Sequence, residues 1–312
     1  MRAPCNDVFD AYASAVRNEA VTADSSLSNA AASVLSSATL RSLSSLQPMG
    51  ALTRLARTLP VATAAGAHTI GDMFDAAYDT LQRDYRNEYV FKNTVVSKIV
   101  FGRHRPTTAS ALLELSLGDS YADVAIMNGT STVYEIKTDL DSFARLPSQL
   151  TDYQTRVEHV HVVVSDRRVV AAERQVPEGV GLIALLRDGT LRTIRDAASN
   201  LPRIRADHLF GSLRQTEATQ ILEANGIRLS AATAVERWEE LRRRFSELDG
   251  TTAHCGAVSA FRTRGMQAMP LAVNPGLPRS ARALAYAAPM SKVAANRLLS
   301  RLAEPIPLVW GP

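Results

Sequence analysis

Cysteine is nearly absent from this chain. Two thiols, Cys5 and Cys255, stand in 312 residues. By themselves they form neither a disulfide framework nor a zinc site, and they read as ordinary thiols of a reducing cytoplasm. Long apolar runs are missing as well: nothing reaches the roughly eighteen residues of a membrane-spanning helix. The opening Met-Arg-Ala-Pro-Cys-Asn-Asp meets acidic residues before any apolar stretch forms, unlike a signal peptide. The expectation is a cytoplasmic protein with no membrane partner. No Walker loop, Gly-rich dinucleotide fingerprint or Gly-X-Ser-X-Gly elbow occurs, and no internal repeat. The chemistry those motifs carry therefore has no foothold here.

An excess of one charge is also lacking, since the formal net charge is only +4. Its distribution is uneven: residues 1–80 carry a net −2, residues 81–170 are balanced, and residues 171–312 carry +6. That permits a nucleic-acid partner without requiring one, and a solvated surface explains the excess equally well. What is present is an ordinary globular composition, 46% hydrophobic, long enough for one large domain or two small ones.

Residues 1–69 are rich in Ala and Ser. They hold helical fragments, FDAYASAVRNEA and ALTRLARTL, with Pro48 and Pro60 as breaks. From residue 70 apolar residues recur at helical spacing (Met73, Phe74, Ala77, Leu81, then Tyr89, Val90, Val95, Val96) as far as Gly102. ALLELSL, ADVAIM and TVYEIKT then read as three strands, DSFARLPSQLTDYQTRVE as a helix and HVHVVVS as a buried strand. GLIALLRDGTLRTI reads as a further hairpin turning at Asp188-Gly189. Residues 205–249 read as helical, residues 250–290 as irregular because they are rich in Gly, Pro and Ala, and SKVAANRLLSRLAE as a final helix capped by Ser291. The expected class is α/β, with a mixed sheet flanked by helices. The expected domains are a helical extension 1–69, a core 70–200 and a helical, basic region 201–312.

The chemistry concentrates at Glu135-Ile136-Lys137. Side chains alternate along a strand, so Glu135 and Lys137 share one face. Burying both requires pairing or a metal, although an exposed Glu–Lys pair on an edge strand explains the triplet alone. Asp123, on the preceding strand, changes the balance. On the same face as Glu135 it gives a carboxylate pair of hard oxygens suited to Mg²⁺ or Mn²⁺, to which the Ile136 carbonyl could add a third oxygen. Register sets a condition. A two-residue Asn128-Gly129 turn would pair Asp123 with Tyr134 and put the two carboxylates on opposite faces. The site therefore needs a loop of odd length, such as Asn128-Gly129-Thr130, or a bulge.

These residues, Asp123 and then, after eleven intervening residues, Glu135-Ile136-Lys137, resemble the signature of the PD-(D/E)XK phosphodiesterase superfamily. Ala122 stands where that group usually has proline. The resemblance extends to Glu88 on the helix before the strands and to Gln149-Leu-Thr-Asp-Tyr153, the Gln-X-X-X-Tyr motif of one branch. It covers about residues 80–170 and is similar to an uncharacterised bacterial family of the superfamily. It implies a restriction-endonuclease-like αβββαβ core and a nuclease, DNA being the first substrate and RNA the second. Asp123, Glu135 and the Ile136 carbonyl would hold the metal, with Glu88 orienting water or a second ion. Lys137 would assist the nucleophile or transition state, and Gln149 and Tyr153 would position the substrate.

Other residues carry less. Asp141, in TDLDS beside Asp139, reads as the cap of the next helix. Arg145 and the basic loop Arg103-His104-Arg105 reach either phosphate or solvent. His159 and His161 have no third ligand at suitable spacing, which favours a structural role. Two rivals stand beside the nuclease. One is a non-catalytic nucleic-acid- or protein-binding module that uses its terminal helices for a partner or a second copy. The other is a nuclease effector acting on host or RNA substrates, which no secretion signal supports.

Overall fold

The computed structural model describes residues 26–230 and 233–306, so FDAYASAVRNEA lies outside the described residues. Two compact units emerge, Arg86–Met290 and the paired segments Met1–Tyr85 and Ser291–Pro312.

The larger unit is built on one six-stranded mixed sheet. Its strands are β1 (Ser110–Leu117), β2 (Ser120–Met127), β3 (Ser131–Lys137), β4 (His159–Ser165), β5 (Gly181–Leu185) and β6 (Leu191–Arg195). They lie in chain order across the sheet. The first three form an antiparallel meander, β3, β4 and β5 run parallel, and β6 returns antiparallel. Helix α1 (Glu88–Val95) precedes the meander, α2 (Leu146–Gln154) crosses from β3 to β4, and α3 (Gly250–Met266) follows the sheet. Parallel neighbours require such a crossover. Ala125, Met127 and Val133 of the meander and Val160, Val162 and Val164 of β4 share one buried apolar cluster with Leu146, Leu150 and Tyr153 of α2 and Val258 and Phe261 of α3.

Three expectations need correction. The segment 250–290 is mainly helical, not irregular. Its glycines serve packing: a Cβ on Gly265 would lie 2.7 Å from the Ala111 carbonyl oxygen, and one on Gly256 2.7 Å from Ile221 Cγ2. Asp249 caps α3 by accepting from Thr252 N at 2.9 Å. The helical period from residue 70 is not one helix but Ile70–Asp84 and α1, followed by a π-helical stretch Val96–Arg103. Asn87 restarts it, its side chain accepting from Val90 N at 3.2 Å. Pro60 lies inside the helix Met49–Ala64 rather than ending it. One missing N–H does not outweigh a face that buries Leu55, Thr58, Val61 and Ala62.

In the smaller unit the last helix, Lys292–Leu302, joins the helices Ser37–Ser44, Met49–Ala64 and Ile70–Asp84. Arg297 donates to the Ser44 carbonyl and Arg301 to the Ser45 carbonyl, each at 2.6 Å, satisfying carbonyls that a helix end leaves unpaired. The units therefore divide near residues 85 and 290, not at the expected 69 and 200. Tertiary bonds tie the final helix to the N-terminal ones, and α3 packs on the sheet.

Candidate active site

Register brings the first two residues together. Met127 pairs with Ser131 and Val124 with Tyr134, so the hairpin loop is Asn128-Gly129-Thr130. Gly129 takes φ 72° there, where only glycine escapes a Cβ clash. One step beyond Val124 and Tyr134, Asp123 comes opposite Glu135 on the same face. Asp123 Oδ2 accepts from Ile136 N at 2.7 Å. A strand residue's C=O points to the same edge as its N–H, so the Ile136 carbonyl also faces the β2 edge.

Glu135 and Lys137 are both buried, 2% and 7% exposed, and they are paired as burial demands. Lys137 Nζ donates to Glu135 Oε1 at 2.7 Å and to Gln149 Oε1 at 2.9 Å. The Gln149 amide donates in turn to Glu135 Oε1 at 2.6 Å. Tyr153 Oη lies 2.8 Å from Glu135 Oε2 and 3.0 Å from the Tyr121 carbonyl. Gln149 and Tyr153 reach one carboxylate because i and i+4 share a helix face, with Pro147 in the first turn of α2. Burial first, then the Glu135 carboxylate, holds the Tyr153 hydroxyl protonated well above the ordinary phenol range.

Asp123 is the electrostatically stressed member. Burial, and then repulsion from Glu135, push its pKa up to about 7 against the pull of Lys92 and the Ile136 N–H. Lys92 was not singled out from the sequence. Its ammonium is buried, contacts the carboxylates of Glu88 and Glu114, and lies 3.4 Å from Asp123 Oδ1. Burial alone would lower its pKa, but Asp123, Glu114 and Glu88 outweigh that and raise it. Glu114 was missed too. The β1–β2 register, with Leu113 paired to Val124 and Leu115 to Ala122, sets Glu114 opposite Asp123. Its backbone is left-handed, φ 54°, a conformation that costs a residue with a Cβ on the order of 1–2 kcal/mol. Both had signals in the sequence: Lys92 is i+4 from Glu88, and Glu114 is the lone charge in an apolar strand facing Asp123 across a tight Gly118-Asp119 turn. Among the described residues, Glu88, Glu114 and Asp123 offer carboxylate oxygens within 4.8 Å of one another.

The remaining candidates lie elsewhere. Asp141 does not cap α2, whose first turn follows Arg145. It closes the turn after β3, accepting from Thr138 N at 2.7 Å, while Arg168 donates to the Thr138 and Asp141 carbonyls. Asp139 accepts from the Ser165 hydroxyl. Arg145 is exposed. His104 Nδ1 lies 2.9 Å from Asn128 Nδ2, at the hairpin loop rather than at the carboxylates. His161 stacks on Tyr134 with ring centroids 5.4 Å apart, and His159 lies beside Glu158.

A sequence profile described as Bacteriophage P4 protein cII matches residues 81–255. The chain belongs to the bacteriophage P4 protein cII family. The matched span contains every residue of the carboxylate–lysine cluster. Protein cII of Enterobacteria phage P4 is 36% identical over 62 residues, 20% of this chain and 24% of that protein. The likeness thus spans about a quarter of that relative's length. No solved structure matches the chain. Family membership adds no chemistry beyond what the geometry carries.

Proposed function

We propose that this member of the cII family is a divalent-metal-dependent phosphodiesterase acting on DNA, with a restriction-endonuclease-like core. One observation carries the reading. The three-residue loop sets Asp123 opposite Glu135 in a cluster that also holds Lys137, Gln149 and Tyr153. The order α1, three antiparallel strands, α2, β4 supports the αβββαβ expectation.

The donor set suits a hard cation. Asp123 and Glu135 keep free lone pairs, since a carboxylate offers about four acceptor positions, and the Ile136 carbonyl faces the β2 edge that carries Asp123. Mg²⁺ or Mn²⁺ held by these groups would polarise a phosphoryl oxygen and activate water. The chain's own groups have defined tasks. Lys137, placed by Glu135 and Gln149, offsets charge developing on phosphorus. Gln149 and Tyr153 fix the Glu135 carboxylate, as hydrogen-bonded partners of metal ligands do. Glu88 is half exposed at the rim, available to water.

Cleavage of linear and supercoiled DNA, with RNA alongside, tests the reading in Mg²⁺ for the wild type, Glu135→Ala and Lys137→Ala. Activity in the wild type with a loss of at least about 100-fold in both variants is expected. Equal cleavage by all three would sink it. A wild type that binds no Mn²⁺ through Asp123 would leave a non-catalytic binding module on the same fold.

A further inference from the structure

The nuclease reading assigns Lys137 but leaves Lys92 without a task. Lys92 is an ammonium 8% exposed, on the helix that carries Glu88, and three carboxylates converge on it. Two elements besides its own helix supply them: β1 gives Glu114 and β2 gives Asp123. The three oxygens lie close enough to ligate a single cation, and the cation at that place is the lysine. The chain also accepts a left-handed backbone at Glu114, φ 54°, to keep a carboxylate there.

The charge balance is instructive. When all are ionised, as an ion bound at Asp123 requires, Glu88, Glu114, Asp123 and Glu135 contribute four negative charges, and Lys92 and Lys137 return two positive ones. The surplus matches one divalent ion. A second ion would stand against the Lys92 ammonium, whose positive charge repels it at contact distance.

We propose that Lys92 is a fixed cation occupying the place among Glu88, Glu114 and Asp123 that would otherwise take a second divalent ion, so that the site works with one. Lys92 is then a positioning residue. It holds Asp123 toward Glu135 and keeps the outer carboxylates from drawing in another ion. This rests on the nuclease reading, which supplies the first ion.

The test is Mn²⁺ stoichiometry on the full chain, by calorimetry and by electron paramagnetic resonance. The wild type should bind one ion per chain, without spin coupling. Lys92→Met, which keeps length and removes charge, should bind two, with the line broadening of a coupled pair. Its Mg²⁺ dependence of cleavage should rise from first to second order. Glu114→Gln supplies a second arm should Lys92→Met fail to fold. Because Glu114 holds lysine and not the ion, this variant should keep one ion with affinity within about 3-fold of wild type, well short of the 10–100-fold typical when a ligand's support is lost. Two ions in the wild type, one in a folded Lys92→Met, or a tenfold loss in Glu114→Gln would overturn the inference and leave the nuclease reading standing. No Asp123-dependent ion in the wild type would overturn both.

Discussion

Lys137 Nζ lies 2.7 Å from Glu135 Oε1, with neither side chain meaningfully in contact with water. The pair therefore depends on itself, on Gln149 and, through Glu135, on Tyr153. Removing Glu135 alone leaves a buried ammonium with a single amide acceptor. Glu135→Ala should lose roughly 3–5 kcal/mol of stability, as breaking a buried pair does, whereas the double variant Glu135→Gln/Lys137→Met should lose less. Urea unfolding of the three proteins decides it. A double variant that loses at least as much as Glu135→Ala would mean that the pair is not energetically coupled.

Tyr153 and Gln149 act on Glu135 from α2. Tyr153→Phe keeps the buried ring and removes only the hydroxyl, so the fold should persist at a cost of about 1–3 kcal/mol for the acceptors left unpaired. Mn²⁺ affinity should fall about 10–100-fold, the usual consequence of losing a ligand's hydrogen-bonded support. Gln149→Ala should lose a similar factor and also leave the Lys137 ammonium with Glu135 as its remaining partner. Unchanged Mn²⁺ titrations for both would remove them from the site.

The hairpin loop makes a prediction about parity. Deleting Thr132 keeps the three-residue loop but moves Glu135 opposite Val124, which turns its side chain to the face away from Asp123. Mn²⁺ binding should disappear, or the chain should fail to fold because apolar partners flip together. Inserting one glycine after Gly129 lengthens the loop without forcing the ladder to slip, and binding should persist. A deletion variant that binds Mn²⁺ like the wild type would contradict the facing of Asp123 and Glu135.

His161 predicts an acid limb unrelated to the carboxylates. Burial first, then His159, lowers its pKa to about 4, with Arg103 adding and Asp196 opposing. Its pKa in the unfolded chain is near 6.5, so the folded state favours the neutral ring. The stability this contributes is fully present above pH 6.5 and drains away as pH falls toward 4. A difference of that size is worth about 3 kcal/mol. In His161→Phe, stability between pH 6.5 and 4 should fall less steeply than in the wild type, whatever its absolute value. Parallel slopes would refute the assignment. Gly181 lies against the ring, since a Cβ there would come within 2.3 Å of His161 Cδ2, so Gly181→Ala should destabilise β5 against β4.

Much of this site could be read in one dimension. Strand alternation put Glu135 and Lys137 on one face, and helical period put Gln149 beside Tyr153. The Asn-Gly turn even stated the odd-loop condition that the β2–β3 register meets. The helical extent of residues 250–290 could not be read, because glycine and proline signal a loop by propensity, yet here Gly256 and Gly265 let α3 approach Ile221 and Ala111 closely. Nor could Lys92 or Glu114 be weighted: a helix lysine and a strand glutamate are ordinary until three elements converge on them.

The sequence by itself determined the local periods, and through them the helix, three strands, helix and strand of the core and the alternation that aligns the carboxylate and lysine of β3. Those properties depend only on neighbours along the chain. Tertiary structure decided which charges are buried together. It brought Lys92 to Asp123 and Glu114, raised the Asp123 pKa toward neutrality, and placed the last helix with the first ones. Burial and Coulomb interaction depend on distance in space, which the spacing of residues along a chain does not specify.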